Sequence, residues 1–91
     1  MKETRQLKDL CSVGPKTVED FRLLGISTVS QLKTQDADKL FARLCHAKGL
    51  RIDPCQHDVF RCAIEQAKNP RLPAAKRQWW YWSKVRKAAQ K

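Results

Sequence analysis

Residues 54–68, PCQHDVFRCAIEQAK, constrain this chain more than any other stretch. Asp53-Pro54 opens the segment with a side-chain cap and a proline at the first helical position, where a missing N–H costs nothing. Asn69-Pro70 closes it. Between these marks Cys55, Val59, Phe60, Cys62, Ala63, Ile64 and Ala67 put apolar or small side chains around most of the circumference. A helix apolar on most sides has to be enclosed by others. In a chain of 91 residues it becomes the centre of a single small domain.

The rest of the chain supplies the enclosure. A helix is expected over residues 3–10, with Leu7 and Leu10 on one face, followed by a turn at Ser12-Val13-Gly14. The next helix starts at Pro15, carries an inner stripe of Val18, Phe21 and Leu24, and stops at Gly25. Thr28-Val29-Ser30-Gln31 is a capping box opening a short segment through Leu32. Asp36 caps a helix whose Ala37, Leu40, Phe41, Leu44 and Cys45 fall on one face, and Gly49 ends it. A last helix is expected from about residue 74. No stretch alternates as a strand does, so the fold class is all-α, a bundle of five to six helices. The bundle is expected over residues 1–82, with 83–91 as a basic extension of its last helix.

In that last helix Trp79, Trp80 and Trp82 cannot all face one way, because consecutive residues lie about 100° apart. Either that helix is clamped on two sides or some of its aromatic surface faces a partner. Asp58 and Arg61 are spaced for an i,i+3 ion pair, though Arg61 is also suited to bonding loop carbonyls.

The net charge is +10 and unevenly spread. Residues 1–69 hold 12 basic and 9 acidic side chains, whereas residues 70–91 hold 7 basic and none acidic. Such a block reads either as a solvated tail or as an electrostatic hold on phosphate, with an anionic membrane surface the weaker functional reading. The charged start, MKETRQLKDL, is unlike a signal peptide, and no apolar run approaches the ~20 residues that cross a bilayer. A cytoplasmic protein with four reduced thiols and no membrane contact is expected. Cys45, His46, Cys55, His57 and Cys62 lack the common short chelate spacings. They read as small buried hydrophobes rather than a zinc site or a Cys45–Cys55 redox pair, so no metal is expected. No nucleophile–base set, carboxylate pair or nucleotide loop is present, so neither an enzyme nor a cofactor is expected.

Leu7-x-x-Leu10-x-x-Val13-Gly14-x-Lys16-x-Val18 resembles the helix-hairpin-helix motif, which grips the sugar-phosphate backbone of DNA without reading sequence. The first turn of a helix has unpaired N–H groups and a positive dipole end, and a bare hairpin lets a phosphate reach them. The motif normally reads Gly-apolar-Gly; here Ser12 replaces the first glycine. The string Asp53-Pro54-Cys55-x-x-Asp58-Val59-Phe60-Arg61-Cys62-Ala63-Ile64, with Leu44-Cys45 before it and Trp79-Trp80-x-Trp82-x-Lys84 after it, resembles the small bacterial "pathogenicity locus" proteins, including mitomycin-resistance-type members. That resemblance implies a helix-hairpin-helix, SAM-like bundle similar to the C-terminal domain of the competence regulator TfoX, without a settled activity. It also implies that the tryptophans dock on the bundle, with at least one ring filling the gap between helices 37–48 and 54–68; base stacking is the rival reading. DNA is then the expected partner, bound weakly through its backbone. Gly14, Lys16 and Thr17 would hold one phosphate, and Lys76, Arg77, Lys84, Arg86, Lys87 and Lys91 would supply most of the attraction. The alternative is a protein-interaction module or homodimer using Trp79, Trp80 and Trp82.

Overall fold

The structure, a computed structural model, describes residues 5–89. Among the described residues it is all-helical: α1 (Pro15–Leu23), α2 (Val29–Leu32), α3 (Ala37–Lys48), α4 (Pro54–Lys68) and α5 (Trp79–Ala89), with 3₁₀ turns at Leu7–Asp9 and Ala74–Arg77. No helix among them is long and apolar enough to cross a membrane. As its composition requires, α4 lies at the centre, packed against α2, α3, α5 and the second 3₁₀ turn. Its Phe60, Cys62, Ala63 and Ala67 are fully buried, and Phe60 stacks on Phe21 of α1 with ring centroids 5.0 Å apart.

The local signals act where the sequence places them. Thr28 Oγ1 accepts the Gln31 N–H at 3.1 Å while Gln31 Oε1 accepts the Thr28 N–H at 3.2 Å. Asp36 accepts from the N–H groups of Asp38 and Lys39, and Asp53 from that of Cys55. Gly25 and Gly49 take positive φ, 83° and 64°, where the chain leaves α1 and α3.

Two helices differ from expectation. Of the helix read over 3–10, residues 3 and 4 lie outside the described residues, and the remainder is helical only over Leu7–Asp9. The cause is a side chain from α4. Gln66 Oε1 accepts the Cys11 N–H at 2.9 Å, and its Nε2–H donates to the Cys11 carbonyl at 2.9 Å. Both main-chain groups of Cys11 are thereby taken out of any helical ladder. The C-terminal helix is also interrupted. Gln78 is extended, with φ −101° and ψ 132°, between the second 3₁₀ turn and α5.

The tryptophans and the charges of α4 also differ from expectation. Trp82 is the one buried tryptophan among the described residues, and it lies between α4 and the second 3₁₀ turn rather than between α3 and α4. Its Nε1–H donates to the Lys76 carbonyl at 2.8 Å, and the Arg61 guanidinium sits over its ring at 5.0 Å. Arg61 therefore pairs with an aromatic face, neither with Asp58 nor with a loop carbonyl. Asp58 is fully buried and receives a two-pronged bond from Arg86 of α5, Nε–H to Oδ1 at 2.9 Å and Nη2–H to Oδ2 at 3.1 Å. That pair ties α5 onto α4 seven residues past its start.

Candidate nucleic-acid interface

The turn at residues 11–14 is held from both sides. Gln66 clamps Cys11, and Ser12 adopts φ 67°, a conformation that disfavours any residue with a Cβ by about 1–2 kcal/mol. A glycine there would relieve the strain, yet the serine brings a hydroxyl that glycine lacks. Ser12 Oγ accepts the Trp79 N–H at 3.1 Å and donates to the Arg77 carbonyl at 3.3 Å. The hydroxyl is thus spent on the junction between the second 3₁₀ turn and α5, which it latches against the hairpin. It also supplies the cap that starts α5 at Trp79. Ser12→Ala keeps the strain and loses the latch, and is expected to destabilise by about 1–2 kcal/mol in urea denaturation. Ser12→Gly loses the latch but relieves the strain, and should fall within about 1 kcal/mol of the parent.

Beyond Ser12, Val13 is buried and Gly14 precedes α1. Gly14 has an ordinary φ of −93° and offers no side-chain acceptor to the first turn of the helix. A Cβ placed on Gly14 would meet nothing within 4 Å, so the hairpin is open at that position. Lys16 is exposed beside it, whereas Thr17 is buried. Asp20, one turn on, does not face this mouth as a free charge: it is buried and takes the Lys48 ammonium at 2.9 Å.

The basic residues of the C-terminal segment divide into separate groups. Lys76 is exposed on the 3₁₀ turn that Ser12 holds against the hairpin, and Lys87 is exposed further along. Lys84 is exposed and lies over the Trp80 ring at 5.2 Å. Arg77 is half-buried and donates Nε–H to the Leu72 carbonyl at 2.6 Å, and Arg86 is committed to Asp58. These two arginines brace the fold, so the structure moves them out of the phosphate-facing set. Lys91 lies outside the described residues. The division expected at residue 82 falls inside α5, whose Ser83 is buried and whose Arg86 is anchored.

The start of α4 offers no comparable anion site. The Asp53 carboxylate already accepts the Cys55 N–H, a bond that holds its pKa below the ordinary carboxylate value. Hydrogen bonding to the Asp53 side chain raises the Cys55 thiol pKa in turn. All four cysteines are free thiols; only Cys62 is fully buried, where desolvation pushes its pKa up to about 11 and keeps it neutral. Cys45 and Cys55 are half-buried and Cys11 is exposed, so the reading of buried small hydrophobes fits Cys62 alone. His57 bonds the Asp38 carboxylate through Nε2 and meets Phe41 edge-on, with ring centroids 5.7 Å apart.

Sequence reasoning missed Arg51 and the position of Trp79. Both line a groove of about 570 Å³ that also includes Lys16. Arg51 sits in the short loop after Gly49, where no pattern marks it.

Comparison with known proteins agrees with the family resemblance. The family model described as "Pathogenicity locus" matches residues 1–88. A curated relative, "Mitomycin resistance protein McrB" of Streptomyces lavendulae, is 37% identical over 81 residues, covering 89% of this chain and 73% of its own length. No solved structure matches. A family match across nearly the whole chain, joined to a relative of this identity, places the protein: it belongs to the pathogenicity locus family.

Proposed function

We propose that this protein binds DNA through the phosphate backbone without sequence preference, with the first 3₁₀ turn, hairpin and α1 working as a helix-hairpin-helix unit. The observation that supports the reading is the Ser12 latch, which holds the basic 3₁₀ turn against the hairpin that opens α1, a hairpin with free space at Gly14. One phosphate would meet the Lys16 and Thr17 N–H groups with the Lys16 ammonium alongside. Lys76, Lys84 and Lys87 would meet neighbouring phosphates as point charges. Anchored Arg77 and Arg86 give this surface a fixed backbone rather than direct contacts.

Duplex DNA titrated at 50 and 200 mM salt tests it. With about four phosphates neutralised, affinity should fall about 150-fold over that range. Lys16→Glu should weaken binding to every sequence and flatten the log–log salt slope by about 1. Gly14→Ala should keep its stability, because the site is open and φ is ordinary, yet lose affinity as the methyl crowds the phosphate. Absence of binding at 50 mM, or binding indifferent to salt and to Lys16→Glu, would refute the proposal.

A second reading draws on the surface of α5, where Trp79 and Trp80 are 36% and 45% exposed. A homodimer or protein complex through these rings would show a concentration-dependent mass that Trp80→Ala lowers, with DNA irrelevant.

A further inference from the structure

The groove beside the hairpin has features that backbone contacts alone leave unused. It is bounded on one side by Lys16 of α1 and on another by the ring of Trp79. Ile52 and Val59 contribute apolar surface, and Arg51 stands at the loop edge. At about 570 Å³ it falls in the range of small-ligand clefts. Two carboxylates also line it: Asp20 is paired with the Lys48 ammonium at 2.9 Å, and Asp53 caps α4 through the Cys55 N–H at 2.8 Å and keeps its negative charge. With the cations Lys16 and Arg51 the lining remains positive on balance.

We propose that this groove receives one unstacked base of a single DNA strand, stacked on Trp79, while the adjoining phosphate sits at the α1 N-terminus. The inference rests on the phosphate reading above and adds to it a preference for single strands. Two arrangements support it. The Trp79 main chain is bonded to Ser12 at 3.1 Å, so the residue adjoins the hairpin that would bind the phosphate. Trp79 lines the same groove as the cations Lys16 and Arg51, and an aromatic ring that shares a groove with cations suits a base flanked by phosphates, since every base has a face to stack.

The experiment compares a thymidine octamer with an abasic octamer of equal length and charge, at one salt concentration. The parent protein should bind the thymidine octamer about tenfold tighter, the stacking gain expected for one base. Trp79→Ala should abolish that preference, Trp79→Phe should keep part of it, and Trp80→Ala should leave it intact. Lys16→Glu should weaken both octamers by the same factor. Equal binding of the two octamers by the parent, or a preference that survives Trp79→Ala, overturns the base site and leaves the phosphate reading standing. If neither octamer binds, or Lys16→Glu changes neither affinity, both readings fall. A concentration-dependent mass abolished by Trp79→Ala, with both octamers bound equally, would assign the groove to a second copy of the chain and overturn the proposal.

Discussion

Arg86→Ala is expected to cost about 3–5 kcal/mol of folding stability, because it leaves the fully buried Asp58 carboxylate without its partner. The aspartate is fully enclosed, and both of its oxygens are bonded by one guanidinium at 2.9 and 3.1 Å. His57 Nδ1 stands 3.7 Å from Asp58 Oδ1, too far to take over the bond. Domains of this kind have only about 5–15 kcal/mol in total, so the variant should melt many degrees lower. Urea denaturation of Asp58→Ala, Arg86→Ala and the double variant measures the coupling. The double variant should be no worse than Arg86→Ala, since removing the carboxylate as well leaves no uncompensated buried charge. A loss below about 1 kcal/mol for Arg86→Ala, or strictly additive losses, would show that the pair does not hold α5.

Phe60→Ala should be of similar size, about 3–5 kcal/mol, for a different reason. The ring is fully buried, and its stacking partner Phe21 is equally enclosed. Truncation removes the transfer free energy and opens a void between α4 and α1 that packed neighbours fill only in part. Phe60→Leu retains most of the volume and should lose much less. Thermal melts of the two variants separate cavity formation from loss of the aromatic contact. Equal losses would assign the effect to the stacked ring pair.

The features legible in the sequence are those decided within a few residues. Thr28, Asp36 and Asp53 cap their helices because the N–H groups that they satisfy lie two or three positions ahead. The apolar girth of α4 announced its central place for the same local reason. Partners chosen by the tertiary fold could not be read in this way. Asp58 takes Arg86, 28 positions on, over Arg61 on its own helix, because α5 crosses α4 there and Trp82 claims the nearer arginine. Gln78 carries no breaking residue, yet the chain breaks there because a hydroxyl 67 positions away captures the next N–H. Arg77 and Arg86, expected to attract phosphate, are bonded within the fold, because charge alone does not distinguish an anchored guanidinium from a free one.

The central position of α4 also bears on how the protein comes off the ribosome. Everything ahead of Pro54 emerges before the surface against which Phe21, Leu32, Leu40 and Leu44 are to be shielded. Even once that helix has appeared, the Ser12 hydroxyl and the Asp58 carboxylate must wait for Trp79 and Arg86 to arrive. A stop codon between Asp58 and Arg86 would leave the Asp58 carboxylate enclosed without its partner, and such a product should be degraded faster than the parent.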